Sequence, residues 1–309
     1  MQGLLARKEA TPRMEAFAYA APRTVAEAVE LLVGANGSAR VLAGGTDLIP
    51  QLQEGRRRAS LVVDVKRIPD LCVLDWNPEE GLTIGAAVPC AQVAAFPRVQ
   101  QHYPALHTAC TLIGSVMVQN RASLGGNLCN AAPSADSVPP LIVHAAEAVI
   151  TGPGGTRRVP VESVCTGPGQ TCLAPGELLV RLHLPVPPPH TASAYLRFTP
   201  RNEMDIAVAG VAAAVTLDPA EGTCAHVRVA LGAVAPTPVR AIAAEEYLAG
   251  KPLTDEHLRR AAQLAVEAAK PISDVRGSAE YRRHLVTVLT FRTLRAVRDR
   301  LAGGPAARS

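Results

Sequence analysis

A proline-rich segment in the second half of the chain limits the fold more than any other feature of the sequence. Pro185-Val186-Pro187-Pro188-Pro189 places four prolines within five positions. Because proline lacks a backbone N–H and fixes φ at about −65°, neither a helix nor a central strand continues through such a run. The segment predicts a stiff, extended connection between separately packed parts. With 309 residues, the chain is long enough for two or three such parts.

The composition is that of an aliphatic globular protein. Hydrophobic residues make up 48% of the chain but aromatic residues only 3%, so the core must consist mainly of Ala, Val, Leu and Ile. Few aromatic rings argue against a stacking surface for single-stranded nucleic acid. A net charge of +4 is too small to indicate a DNA-binding surface. We therefore predict no nucleic-acid partner.

The distribution of charged residues and the cysteine spacing indicate where in the cell the protein is located. The longest uncharged stretch, residues 99–120, contains three glutamines and two histidines, so we predict no membrane insertion. The seven cysteines form no C-x-x-C motif, which favours reduced thiols and a cytoplasmic protein. The same spacing supplies no local zinc or iron–sulfur ligand set. We expect any redox metal to lie on a partner.

The strand and helix patterns predict an α+β fold in several segments. We expect an N-terminal tail at residues 1–13, two mixed units at 14–70 and 71–185, and a third unit at 191–302 in which helices cover a sheet. The pattern predicts a strand over Leu71–Asp75 and helices over Val239–Leu248 and Ala279–Leu301. Residues 114–140 combine turn-forming and apolar residues, which predicts an ordered, irregular functional segment.

Two diglycine segments are the strongest candidates for a binding site. They are Val41-Leu42-Ala43-Gly44-Gly45-Thr46-Asp47-Leu48 and Ala122-Ser123-Leu124-Gly125-Gly126-Asn127-Leu128. Consecutive glycines permit positive φ and leave backbone N–H groups open to a phosphate or pyrophosphate. Thr46 and Asn127 can donate to phosphate oxygens, and Asp47 or Asp136 can accept from sugar hydroxyls. A lone diglycine most often marks a tight turn, but two in neighbouring units favour a pyrophosphate-containing ligand of open identity.

Three further motifs accompany the diglycine segments in order along the chain. They are Pro133-Ser134-Ala135-Asp136, Arg197-Phe198-Thr199-Pro200-Arg201 and Asp274-Val275-Arg276-Gly277-Ser278. Together with the diglycine segments, they resemble the FAD-binding medium subunit of molybdenum hydroxylases, a family that includes xanthine dehydrogenase and aerobic carbon monoxide dehydrogenase. The resemblance extends from Met14 to about residue 301. Because several separated motifs agree, the resemblance is specific.

The resemblance implies a fold and a cofactor. It implies a two-subdomain FAD-binding module of the vanillyl-alcohol-oxidase-like, PCMH type, followed by a C-terminal flavoprotein domain. FAD would bind noncovalently, with its pyrophosphate against residues 41–48 and 123–127. Asp136 would hold the ribityl or ribose side, and Ile113 and Leu179 would pack against the flavin or adenine. Arg197 stands where many relatives have Lys and keeps the positive charge near the flavin. We interpret Cys129 as a packed thiol rather than a covalent attachment site.

The resemblance also implies a role within a larger enzyme. A large subunit would carry the molybdenum cofactor and a small subunit two [2Fe–2S] clusters, in a dimer of heterotrimers. Electrons would pass from the clusters through FAD to NAD, oxygen or a quinone-linked acceptor. This chain would need no catalytic acid or base and no metal ligand of its own. Two alternatives stay open: a stand-alone flavin-dependent reductase or oxidase, and a non-redox nucleotide-binding interaction protein.

The predicted C-terminal helix carries a group of arginines. They are Arg282, Arg283, Arg292, Arg295, Arg298 and Arg300. We interpret them as the solvated face of a helix whose other face is core. A docking surface is the alternative interpretation.

Overall fold

A three-stranded parallel sheet forms the first part of the molecule. The computed structural model describes residues 14–303, so the predicted tail at 1–13 lies outside the described residues. The elements of this part are β1 (Ala18–Ala20), α1 (Val25–Gly34), β2 (Ala39–Leu42), α2 (Leu48–Gln53) and β3 (Leu61–Asp64). The strand order is β1-β3-β2. Val62 and Val63 of the central strand are buried, as expected where a parallel sheet is covered on both faces.

A five-stranded antiparallel sheet with six helices forms the second part. Its elements are β4 (Leu74–Asn77), β5 (Gly81–Gly85), α3 (Cys90–Ala95), α4 (Pro97–His102), α5 (Pro104–Leu112), α6 (Val116–Gln119), α7 (Leu124–Asn130), α8 (Val138–Val143), β6 (Glu147–Gly152), β7 (Gly155–Pro160), β8 (Cys165–Gly167), β9 (Gln170–Thr171) and β10 (Leu178–Leu184). The sheet order is β4-β5-β10-β6-β7, and β8 pairs with β9 in a separate ladder.

Two sequence predictions for this part are wrong in detail. The strand predicted over Leu71–Asp75 begins only at Leu74, because Pro69 starts a 3-10 turn that includes Leu71. Residues 114–140, which we predicted to be irregular, contain α6, α7 and the beginning of α8. Ser123 caps α7 and prolines stand in the first turn of α8, so local chemistry starts both helices.

A four-stranded antiparallel sheet covered by helices forms the third part. Its elements are β11 (Thr191–Phe198), β12 (Ala209–Leu217), β13 (Cys224–Gly232), β14 (Val239–Arg240), α9 (Ile242–Leu248), α10 (Asp255–Ala265) and α11 (Ala279–Leu301). The strands follow one another in sequence order. No helix within residues 14–303 combines the length and the apolar character that crossing a membrane requires.

The predictions for the third part have mixed outcomes. The structure confirms the helix over Ala279–Leu301, which Ser278 caps by accepting a hydrogen bond from Tyr281 N at 3.1 Å. The helix predicted over Val239–Leu248 begins only at Ile242, because Val239 and Arg240 pair with β13. The solvated-face interpretation is wrong for Arg282, which is 4% exposed and whose guanidinium donates to the backbone carbonyls of Val208 and Ala233. Arg300 is partly buried as well and donates to the Ser193 carbonyl of β11.

The alanine-rich strand β12 joins two hydrophobic cores. Val211 and Ala213 pack into the core of the third part, whereas Ala212 and Ala214 pack into the core of the second part. This division follows from the period-2 alternation of side chains in a strand. Both faces of β12 are buried, and its small apolar side chains allow helices to pack closely against either face.

The proline-rich segment connects β10 to β11, which belong to different sheets. The fully buried Tyr103 holds the start of this segment in place: Tyr103 Oη donates to the carbonyl of Pro185 at 2.8 Å and lies 3.2 Å from that of Leu184. Tyr103 thus uses its polar end to bind backbone carbonyls at the start of the proline-rich segment.

A buried histidine links α8 to the third part. His144 Nε2 lies 3.0 Å from Ser193 Oγ in β11, and Ser193 Oγ accepts a hydrogen bond from Ala105 N at 3.2 Å. The Ser193 hydroxyl is therefore placed to donate to a neutral imidazole. His144 is 6% exposed, and burial lowers its pKa to about 3.

We expect His144 to make stability depend on pH. Because the pKa is about 3 in the folded state and about 6.5 in the unfolded state, the unfolded chain binds more protons between these values. Stability is therefore fully present above pH 6.5 and falls as pH decreases, by up to about 1.4 kcal/mol per pH unit. Denaturant unfolding of the wild type and His144→Gln at pH 7 and pH 4.5 measures the effect.

The wild type should lose about 2 kcal/mol more than His144→Gln between these two pH values. Comparing pH dependences removes any constant destabilisation by the substitution. His284→Gln, at an exposed position of α11, serves as the control and should behave as the wild type. Equal pH dependence of the wild type and His144→Gln would show that His144 is not the responsible group.

Candidate functional site

The first diglycine segment forms the turn between β2 and α2. Gly45 has a φ of +79°, a left-handed conformation in which a side chain would be strained. Gly44, Gly45 and Thr46 are partly accessible, and Val41 and Asp47 are the exposed residues of the segment. A ligand can therefore reach the backbone of this turn.

The second diglycine segment starts α7 and is more deeply buried. Ser123 is the N-cap, and its Oγ accepts a hydrogen bond from Gly126 N at 3.1 Å. Gly125 lies against Ala86, which follows β5: a Cβ on Gly125 would come within 2.6 Å of the Ala86 carbonyl oxygen. Close packing of α7 on the sheet therefore requires this glycine. Gly126 is partly accessible.

The two diglycine segments meet at Gly44. A Cβ on Gly44 would lie 1.9 Å from the Arg121 carbonyl oxygen, so only glycine permits this approach. A second link joins the helices that follow: Gln51 Nε2 in α2 donates to Asn130 Oδ1 in α7 at 3.0 Å. We refer to the Gly44–Arg121 and Gln51–Asn130 contacts together as the seam. The seam unites segments that lie far apart in the sequence.

Backbone donors are available beside the seam. The N–H groups of Gly44, Gly45, Thr46 and Asp47 donate to no backbone acceptor within residues 14–303. Successive free N–H groups in a turn form a site for anions, and glycine leaves room for a close approach. This donor set fits the pyrophosphate of FAD. Among the same residues, no three His, Cys, Asp or Glu side chains are grouped so as to hold a metal ion.

Asp136 and Arg197 form a buried ion pair. Arg197 Nη1 in β11 donates to Asp136 Oδ2, and Tyr195 Oη donates to Asp136 Oδ1 at 2.6 Å. The side chains of Arg197 and Asp136 are 5% and 10% exposed. Burial raises the pKa of Asp136, while Arg197 and Tyr195 counteract that effect. Two residues predicted to contact the cofactor separately are thus bonded to each other.

Asn127 connects the second diglycine segment to the neighbourhood of this ion pair. Its Oδ1 accepts a hydrogen bond from Ser137 Oγ at 2.6 Å, and Ser137 directly follows Asp136 in the chain. Because the side-chain oxygen of Asn127 is engaged, its amide nitrogen is the group that can donate to a phosphate.

The predicted apolar contacts lie deep in the protein. Leu179 is 3% exposed in β10, and Ile113 is 9% exposed at the end of α5. Only a small part of either side chain is open to a ligand in this conformation. Burial raises the pKa of the Cys129 thiol to about 12, so this thiol is protonated at neutral pH and is a poor nucleophile.

The contacts of Gln51, Arg121 and Tyr195 in this region were not predicted from the sequence. Gln51 and Arg121 act through contacts that no local pattern indicates. Tyr195 has one signal, the glycine at position 210 of the neighbouring strand β12. A Cβ on Gly210 would lie 2.7 Å from Tyr195 Oη, and a glycine inside a strand often marks such a close approach.

Comparisons with known proteins agree over nearly the whole chain. The family described as the FAD binding domain in molybdopterin dehydrogenase matches residues 15–187, and the CO dehydrogenase flavoprotein C-terminal domain matches residues 194–297. A putative xanthine dehydrogenase FAD-binding subunit of Escherichia coli (strain K12) is 36% identical over 277 residues, which cover 89% of this chain and 94% of that protein. The carbon monoxide dehydrogenase medium chain of Hydrogenophaga pseudoflava is 34% identical over 288 residues, with 93% and 98% covered.

Solved structures show the same architecture. Carbon monoxide dehydrogenase from Hydrogenophaga pseudoflava, in a form that lacks the Mo-pyranopterin moiety of the molybdenum cofactor, matches with a TM-score of 0.89 and 34% identity over 94% of this chain and 99% of that chain. Quinoline 2-oxidoreductase from Pseudomonas putida 86 matches with a TM-score of 0.86 and 29% identity, covering 94% and 99%. The α+β fold class is thereby confirmed. This chain belongs to the family of FAD-binding medium subunits of molybdenum hydroxylases.

Proposed function

We propose that this chain binds FAD noncovalently and transfers electrons through it within a molybdenum hydroxylase. The observation that carries the proposal is the seam, where the free N–H groups of Gly44 and Gly45 lie beside the start of α7. Membership of the FAD-binding family supports the identity of the cofactor. When bound, FAD supplies the redox chemistry of its isoalloxazine ring.

The chain contributes binding and orientation. The backbone N–H groups of Gly44, Gly45 and Thr46 would donate to pyrophosphate oxygens, and the Asn127 amide nitrogen would add a side-chain donor. Charged acceptors make such hydrogen bonds stronger than neutral ones, by roughly a factor of two. Several aligned donors thus hold the pyrophosphate in one orientation without a catalytic acid or base.

The Asp136–Arg197 ion pair would fix the flavin side of the site. It fastens β11 of the third part to the loop that follows α7, with Tyr195 as a second donor. Breaking a buried pair by removing one partner typically costs about 3–5 kcal/mol. The pair therefore fixes the position of the third part relative to the second diglycine segment. Ile113 and Leu179 would supply apolar contacts to the flavin or adenine.

We propose that the complete enzyme contains two further kinds of subunit. A large subunit would hold the molybdenum cofactor and a small one the [2Fe–2S] clusters, in a cytoplasmic dimer of heterotrimers. The relatives support a multi-subunit assembly, because they are named as medium chains or FAD-binding subunits of xanthine and carbon monoxide dehydrogenases. Electrons would leave FAD for an external acceptor.

Purification of the full chain, alone and with its partner subunits, tests this function. The chain should carry about one FAD and show the visible absorption spectrum of an oxidised flavin. Substrate-dependent reduction of the flavin should require the partner subunits. A colourless chain that takes up no added FAD would contradict the proposal. Substrate turnover by the isolated chain would favour the alternative of a stand-alone reductase or oxidase.

Gly126 tests the contribution of the second diglycine segment. A Cβ there would meet only Ser123 Oγ, at 3.1 Å, so the serine side chain would have to shift by a few tenths of an ångström, and the new side chain would lie at the partly accessible start of α7. We expect Gly126→Val to weaken FAD binding by at least about tenfold, because the added side chain would keep the pyrophosphate from the Asn127 amide and so remove one hydrogen bond to a charged group. Titration of the apo-protein with FAD measures the change.

Gly34→Val is the matched control. A Cβ on Gly34, the last residue of α1, would meet no atom within 4 Å, and its φ is not positive. This variant should bind FAD as the wild type does. Unchanged FAD affinity in Gly126→Val would mean that FAD does not approach the start of α7.

A further inference from the structure

Lys66 contacts the first diglycine segment from the side of its carbonyl groups. Its Nζ donates to the Ala43 carbonyl oxygen at 3.0 Å. Val65 N donates to the preceding carbonyl, that of Leu42, at 3.1 Å. The chain just after β3 therefore holds two successive carbonyls directly before Gly44. Neither Val65 nor Lys66 belongs to the binding motifs found in the sequence.

Two other side chains hold Lys66 in position. Lys66 Nζ also donates to Asp64 Oδ1 at 2.7 Å, and Lys66 N donates to the same oxygen at 3.0 Å. Tyr19 Oη in β1 donates to Asp64 Oδ2 at 2.7 Å. Asp64 is 8% exposed. Burial raises the pKa of the Asp64 carboxyl, but the hydrogen bonds from Lys66 and Tyr19 outweigh burial and hold it below its ordinary value.

The planarity of the peptide bond transmits this contact to Gly44. The Ala43 carbonyl and the Gly44 N–H belong to one peptide unit, and in a trans peptide these two groups point in opposite directions. With the carbonyl turned toward Lys66, the Gly44 N–H points away from Lys66. That N–H is one of the free donors beside the seam. The contact at Ala43 thus sets the direction of a donor on the other side of the peptide.

We propose that Lys66, held by Asp64 and Tyr19, is a positioning residue for the pyrophosphate of FAD. It orients the Ala43–Gly44 peptide so that the Gly44 N–H faces the pyrophosphate. A cation bonded to the carbonyl also polarises the peptide and makes its N–H a stronger donor. This inference rests on the proposed function, because it assigns the pyrophosphate to the first diglycine segment.

The full-length apo-protein and its Lys66→Met variant provide the test. Methionine has a similar length but cannot donate a hydrogen bond. We expect Lys66→Met to raise the dissociation constant for FAD by roughly tenfold to a hundredfold, the range expected for the loss of one hydrogen bond to a charged group, here from the Gly44 N–H to the pyrophosphate. Riboflavin, which has no pyrophosphate, should bind both proteins with the same affinity. Fluorescence titration with each ligand measures the two constants.

Two further variants separate positioning from general damage. Lys66→Arg keeps a cationic donor and should restore FAD affinity to near that of the wild type. Arg67→Met, at the exposed neighbouring position, is the matched control and should bind FAD normally. Circular dichroism and thermal unfolding of each apo-protein show whether the variants are folded.

Three results would overturn the proposal. Wild-type FAD affinity in Lys66→Met would show that the contact has no role in binding. An equal loss of FAD and riboflavin affinity would show that Lys66 supports the fold rather than the pyrophosphate. Failure of the wild type to bind FAD would overturn the proposed function together with this inference, whereas the first two results leave FAD binding by the chain intact.

Discussion

The contact between Gly44 and the Arg121 carbonyl is the constraint on which the proposed FAD site depends. A single methyl group at position 44 would overlap that carbonyl, so the approach of the two diglycine segments requires a residue with no side chain. The first segment follows a strand of the parallel sheet, and the second begins a helix that packs on the antiparallel sheet. The contact therefore joins the first part of the molecule to the second. Each segment alone is a turn or a helix start. Together they place free backbone donors of the first segment beside the start of α7.

Three further sets of contacts hold the two diglycine segments in place. Lys66 and Asp64 hold the carbonyl side of the first segment. Gly125 packs the start of α7 tightly on Ala86. The Asp136–Arg197 pair joins the third part to the chain beyond α7. The neighbouring strand β12 is buried on both faces and contributes side chains to both hydrophobic cores. A site built from backbone groups needs this support, since its donors have no rotamers of their own to adjust.

The features that could be predicted from the sequence are those set by residues close together in the chain. The diglycine segments, the helix over Ala279–Leu301 and the α+β class follow from residue types at short spacing, and the family matches confirm the fold class and FAD as the cofactor. Contacts over long sequence separations could not be predicted. Asp136 and Arg197 are 61 residues apart, so no spacing rule indicates that they pair. The strand β11 also went unpredicted: its polar residues Ser193 and Arg197 are buried by contacts with residues distant in the sequence, which no local pattern indicates.

Amide hydrogen exchange of the full chain with and without FAD tests the central claim most directly. FAD is expected to slow exchange in both diglycine segments at once, at the amides of residues 43–47 and 123–127. Exchange in the groove between α10 and α11, which has no part in the site, should not change. Protection of only one diglycine segment, or of neither, would contradict the claim that the two segments form a single pyrophosphate site.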